Sequence, residues 1–175
     1  MKKKPNNNSY ILYSQSYISD FDFIYIQWMF LDYMEIKIQK VEDVKTPCYA
    51  NPGDAGLDLY SAEELILKPG ERKVVSTGVK MALPQGYEAQ VRPKSGLAAK
   101  HGISVVNTPG TVDAGYRGVV GVILINHGQE DFSVEKNTKI AQMVINKVEY
   151  ADIQEVESLD DTERGEGGFG STGLQ

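Results

Sequence analysis

The sequence predicts an all-β fold, a sandwich or barrel of short strands, on three observations. Short apolar or alternating runs recur with turn residues between them about every ten residues. No long amphipathic helix interrupts them, and no segment repeats at a fixed period. The elements follow in order. Glu35 to Val41 alternates, with Ile36, Ile38 and Val41 apolar, as a half-buried strand does. Thr46-Pro47 and Asn51-Pro52-Gly53 are turn signals. Leu57 and Leu59 alternate with Asp58 and Tyr60, a strand that displays Asp58 on one face. Lys68-Pro69-Gly70-Glu71 turns the chain into a strand over Arg72 to Thr77, followed by one over Val79 to Leu83. After Pro84-Gln85-Gly86-Tyr87, Glu88 to Arg92 alternates again, and Gly96 to His101 has room for one helical turn. Ile103 to Val106 is a short apolar strand. Val119 to Ile125 is almost continuously apolar and is predicted to be buried on both faces. Asn126-His127-Gly128 reads as a hairpin-like turn, and Phe132 to Glu135 and Lys139 to Val148 as the last strands; Val144, Ile145 and Val148 favour strand over helix in the latter.

Composition narrows the function. The 175 residues suit one domain with a real core. A net charge of −6 argues against a general nucleic-acid surface, so an anionic ligand would be held by a few placed cations and backbone N–H groups. Cys48 is the only cysteine and His101 and His127 the only histidines, which excludes a disulfide framework or a multi-Cys or multi-His zinc site within one chain and suits a reducing, cytoplasmic setting.

The two ends differ from the middle. Residues 1–33 are rich in Asn, Tyr, Ile and Ser and lack glycine. Lys2 to Lys4 and Phe23 to Leu31 have the outline of a signal peptide, but the polar gap is long, Asp20 and Asp22 interrupt it, and no small-residue cleavage site follows. The apolar run is too short to span a bilayer. These residues read as an extension outside the fold, with Met34 opening the working protein. At the other end the chain turns acidic (Glu155, Glu157, Asp160, Asp161, Glu163) and finishes in glycine-rich sequence around Phe169, which composition alone assigns to a disordered tail.

Chemistry concentrates between Val91 and Tyr116. A small-residue turn with a hydroxyl, Ser95-Gly96, leads through an apolar run to a second glycine turn with one carboxylate, Asp113, and one aromatic, Tyr116. Such a pair of turns can present donors, a hydroxyl and a carboxylate to a phosphorylated ligand and a water. Taken singly, Asp113 would be an ordinary turn cap and Tyr116 a core aromatic.

Five ordered blocks carry a family resemblance: AGLDLYSA at Ala55 to Ala62, RPKSGLAAKHGI at Arg92 to Ile103, NTPGTVDAGYRG at Asn107 to Gly118, KIAQMVI at Lys139 to Ile145, and RGEGGFGSTG at Arg164 to Gly173. From Met34 onward the chain resembles the trimeric all-β dUTPases (deoxyuridine triphosphate nucleotidohydrolases). The resemblance implies a distorted jelly-roll or β-barrel of the β-clip kind over residues 34–155 and a flexible glycine-rich arm over residues 156–175. It implies hydrolysis of dUTP to dUMP and pyrophosphate by water attack on the α-phosphorus. Asp113 would be the base. Asn107 and the backbone of Thr111, Val112 and Asp113 would read uracil, and Tyr116 would exclude a 2′-hydroxyl. Lys94, Ser95, Gly96 and Gln142 would meet phosphates. From the arm, Arg164 would reach the terminal phosphate, Phe169 would stack on the base, and Gly170, Ser171 and Thr172 would complete the closure. Mg2+ would be held mainly by the triphosphate, with Asp58 reaching it through water or serving as a structural contact. The partners implied are dUTP and two further copies of the chain, with each site shared among three chains; no nucleic acid or membrane is implied.

Some positions depart from the family pattern. Lys94 replaces the usual arginine, losing its planar fork. Val119 stands where a polar residue commonly follows the Arg-Gly pair. Asn137-Thr138-Lys139 replaces a glycine, an acid and an arginine. A related deaminase of the same fold would be expected to carry a glutamate after the tyrosine hairpin, and Val119 to Ile125 contains no acid. A non-catalytic nucleotide-binding relative would be expected to have lost Asp113, Tyr116 or the arm, all present here.

Overall fold

The structure, a computed structural model, describes residues 34–168 and 171. The extension over residues 1–33 therefore lies outside the described residues. Eleven strands and one short helix follow in order: β1 (Lys37–Lys40), β2 (Leu57–Tyr60), β3 (Leu65–Leu67), β4 (Arg72–Ser76), β5 (Val79–Ala82), β6 (Tyr87–Arg92), α1 (Ser95–His101), β7 (Ile103–Val105), β8 (Gly110–Asp113), β9 (Gly121–Asn126), β10 (Phe132–Val134) and β11 (Lys139–Lys147). All ladders are antiparallel. A four-stranded sheet runs β2-β11-β6-β8 and a three-stranded sheet β4-β9-β7, with two-stranded pieces β1-β5 and β3-β10 beside them.

Alternation drives the assembly. Leu59, Ala89, Val91, Val112 and Met143 point inward from the four-stranded sheet, and Val75, Ile103, Val105, Val122 and Leu124 from the three-stranded one; all are buried in one cluster. Each fully buried Val or Leu contributes about 1.5–3 kcal/mol, and a one-residue slip in any ladder would turn that set outward. Among the described residues, Asn126 is one of four buried polar ones, with Asp58, Ser61 and Thr77. Its amide donates to the carbonyls of Leu67 (2.9 Å) and Glu130 (2.8 Å) and accepts from Gly128 N–H (2.8 Å), tying β9 to β3 and to the turn that follows. Gly102 ends α1 at φ 68°, and a Cβ there would meet Gly128 N at 2.6 Å.

Three readings change. The Val119–Ile125 run is not buried on both faces. Its strand is Gly121–Asn126; Val122, Leu124 and Asn126 face the core, while Ile123 and Ile125 are only half-buried beside exposed Val74 and Val106. Among the described residues nothing covers that face. Gly110–Asp113, read as a turn, is a strand, because Glu88 to Val91 offers it an antiparallel partner. Leu65–Leu67, too short to carry a periodic signal, is a strand because Phe132–Val134 pairs with it.

Candidate active site

Two cavities gather Asp58, Lys94 and Gln142 on one side and Thr111, Val112, Asp113 and Tyr116 on the other, and they lie apart. The first, about 410 Å³, is lined by Asp54, Gly56, Asp58, Arg92, Lys94, Lys139 and Gln142 among others. Three of these form a row across the sheet: Gln142 on β11 faces Asp58 on β2 to one side and Arg92 on β6 to the other. Gln142 is fixed at both ends. Its Nε2 donates to Pro93 O (2.9 Å), and its Oε1 occupies the space a Cβ at Gly56 would fill, 2.6 Å away.

Asp58 is 2% exposed. Lys94 Nζ pairs with its Oδ1, and Lys139 Nζ lies 2.6 Å from Oδ2. Burial pushes the Asp58 carboxyl up, but the hydrogen bonds and charges of Lys139 and Lys94 outweigh it and hold it below the usual carboxylate value. The same contact raises Lys139. Next to this row, Tyr60 is pushed up to about 12 by its contact with Cys48 Sγ (3.5 Å) and by burial.

A magnesium ion caged by protein carboxylates does not fit this donor set. Both oxygens of Asp58 face ammonium groups, and no group of three His, Cys, Asp or Glu among the described residues could hold a metal.

The second cavity, about 160 Å³, is lined by Thr111, Val112, Asp113, Tyr116, Val120 and Gly121. Strand β8 delivers exposed Asp113, and a turn closes when Tyr116 N–H donates to Asp113 O (3.0 Å). The tyrosine hydroxyl donates to Val119 O (3.0 Å), and the ring lies over Gly118, where any Cβ would strike the hydroxyl oxygen at 2.3 Å. Arg117 secures the turn by donating to the carbonyls of Ala114 and Tyr116, both at 2.7 Å. Asn107 is exposed and folds over Gly110, its Nδ2 2.9 Å from where a Cβ would stand.

Register measures the separation. Asp113 faces Glu88, four residues along β6 from Arg92, the partner of Gln142. That is about 13 Å along the strand and about 10 Å across two strand spacings. Ser95 and Gly96 are exposed at the start of α1, on the cleft side of Arg92. Arg164 and Ser171 lie in an exposed tail that closes turns on itself: Arg164 Nε donates to Gly167 O (2.9 Å) and Ser171 N to Gly168 O (3.0 Å). Phe169, Gly170 and Thr172 lie outside the described residues. Arg92, Gly56 and Lys139 line the first cavity, and sequence reasoning assigned none of them a role in a site. Lys139 was visible only as a departure from the family pattern, and Gly56 only as the glycine ahead of Asp58.

A cationic cleft with a glutamine and a separate hairpin cavity with a carboxylate and a tyrosine describe an all-β hydrolase of a phosphorylated small molecule. The family model for dUTPase matches residues 42–173, and the chain belongs to the dUTPase family. The deoxyuridine 5′-triphosphate nucleotidohydrolase of Alkaliphilus metalliredigens is 57% identical over 141 residues, covering 80% of this chain and 98% of that protein. That of Clostridium tetani is 55% identical over 140 residues, covering 80% and 96%. Among solved structures, a dUTPase of Staphylococcus bacteriophage 80alpha with dUpNHpp superposes with a TM-score of 0.75 at 28% identity, covering 80% of this chain and 99% of that one. The chain is therefore an enzyme of that family, and its mostly β architecture is the family's. No helix among the described residues is long and apolar enough to cross a membrane.

Proposed function

We propose that the protein hydrolyses dUTP to dUMP and pyrophosphate, with Asp113 taking a proton from the water that attacks the α-phosphorus, and that each site is assembled from neighbouring chains of a homotrimer. The observation that carries the reading is the grouping of exposed Asp113 with Tyr116 and Thr111 in one cavity, away from the cationic cleft. A base must lie within hydrogen-bond reach of its water. Asp113 and Gln142 of one chain are too far apart to act on one α-phosphate, so the hairpin of one copy serves the cleft of another. Supporting this, Val74, Val106, Ile123 and Ile125 form an apolar face that no other described residue covers. Burying such a face against copies of itself is the usual basis of a closed oligomer.

At the hairpin, Asn107, folded over Gly110, supplies an amide that can donate and accept, and the backbone of Thr111 to Asp113 supplies the remaining edge for uracil. The Tyr116 ring, pinned on Gly118, fills the space a 2′-hydroxyl would need. In the cleft, Lys94, Gln142 and the Ser95-Gly96 turn meet phosphate oxygens. A magnesium ion arriving on the triphosphate is part of the substrate. The tail over residues 156–175 serves as an arm bringing Arg164, Phe169, Gly170, Ser171 and Thr172 over a bound nucleotide. Its approach supports this: Tyr150, Ile153, Val156 and Leu159 are all exposed and make no core of their own, as expected of a segment that packs on another copy. Limiting uracil in DNA and supplying dUMP would follow from this activity.

Pyrophosphate release from dUTP, dCTP and UTP tests the reading. Wild type should favour dUTP, and Asp113→Asn should lower kcat about 100-fold or more with little change in KM. Equal activity in the variant would sink the general-base role. Deleting residues 165–175 should reduce turnover at least as severely while leaving thermal stability unchanged; normal turnover would remove the arm from the mechanism.

A further inference from the structure

We infer that Lys139 is a second phosphate-binding cation, placed by Asp58 together with Lys94 to meet the outer phosphates of the triphosphate. The inference rests on the proposed hydrolysis of dUTP and deepens it.

Register provides the first ground. On β11, Ala141 pairs with Leu59 and Gln142 with Asp58, but Lys139 pairs with Tyr60, so two residues of β11 span one step of β2. Strict alternation would put Lys139 on the core side with Ala141. The extra residue, Ile140, is instead buried, and the bulge brings Lys139 round to the Asp58 side. A bulge that carries a lysine onto a buried carboxylate is a placement device.

Donor arithmetic provides the second. An ammonium has three N–H donors. Lys94 donates one to Oδ1 of Asp58 and Lys139 pairs by charge with Oδ2 at 2.6 Å, so at least two donors apiece are left for an anion in the cleft they line with Gln142 and Arg92. Asp58 cannot release both lysines, because a buried unpaired carboxylate is strongly penalised. The lysines therefore stay anchored and present a fixed pair of cations carrying one net positive charge with Asp58. The Lys139 side chain is 44% exposed against 27% for Lys94, so it stands nearer the mouth of the cleft and meets the outer part of the polyphosphate.

The test uses the full-length enzyme, with dUTP turnover and with binding of dUpNHpp and dUMP measured side by side. Lys139→Gln should raise KM for dUTP and weaken dUpNHpp binding about tenfold, the effect of losing one charge-assisted contact. It should leave dUMP, which lacks the outer phosphates, within about twofold. Lys139→Arg should restore dUpNHpp binding. In an Asp58→Asn background, Lys139→Gln should cost clearly less than in wild type, because the lysine is no longer placed. Equal weakening of dUMP and dUpNHpp, or unchanged binding of both, would overturn the inference while an active wild type kept the hydrolase reading intact. A wild type that releases no pyrophosphate from dUTP would overturn both.

Discussion

The cationic cleft and the tyrosine hairpin are built on opposite principles. The cleft is secured from beneath by side chains: a buried carboxylate pins two lysines, and a glutamine is wedged between Pro93 and Gly56. The hairpin is secured from within: the Tyr116 hydroxyl and the Arg117 guanidinium donate to carbonyls within three residues of themselves, Tyr116 N–H donates to Asp113 O, and Asp113 is left exposed. Under the proposed mechanism the difference matches what each would do. A phosphate site needs charges held still, so that little ordering is left to be done on binding. A general base would need access to water and substrate, and the Asp113 carboxylate is exposed while the turn around it is fixed.

If the two regions serve one nucleotide from different copies, mixing should expose it. Asp113→Asn and Gln142→Ala chains, each nearly inactive, should regain activity when unfolded and refolded together, with about a quarter of sites holding one intact hairpin and one intact cleft. Activity that stays at the level of the separate variants would show each site to be built within one chain. A smaller effect should separate the cleft from the hairpin by sterics. Gly56→Ala places a Cβ against Gln142, so KM for dUTP should rise several-fold and stability fall by about 1–3 kcal/mol, while discrimination against UTP, set at Tyr116, holds. Loss of that discrimination with an unchanged KM would reverse the division of labour. The smallest effect concerns pH. The Asp58 carboxyl is lowered in the folded protein, so its contribution to stability is present above its unfolded value, near 3.8, and is lost as pH falls through the folded one. The gap in Tm between wild type and Asp58→Asn should therefore be full at neutral pH and narrow below pH 3.8. A gap independent of pH would mean that the ion pairs do not hold the cleft.

Much of this was legible in the chain. Alternation at Leu57–Tyr60 and Glu88–Arg92 announced strands because one face of each had to be buried, and Val144 and Ile145 favoured strand in the last element for the same reason. Asn137 shows a departure that sequence could register but not explain. It stands where the family pattern has glycine, and it adopts φ 63°, the left-handed conformation that asparagine tolerates better than most residues. Its Oδ1 also accepts from Lys45 N–H (2.7 Å). Leu65–Leu67 and Gly110–Asp113 were not legible, since three consecutive apolar residues show no alternation and the glycine and aspartate ending the other read as a turn, so only a partner ladder defines them.

The sequence by itself determined that the protein is all-β, which family it resembles, and which residue types carry its chemistry, because periodicity, turn residues and ordered motifs are local properties of the chain. Only the tertiary structure decided which of those residues share a cavity. That depends on register: one bulge in β11 sets Lys139 beside Asp58, and four residues of β6 hold Asp113 away from Gln142. A shift of one residue changes a side chain's face without changing the strand pattern, so pairing across the sheet had to be seen before the site could be divided into its two parts.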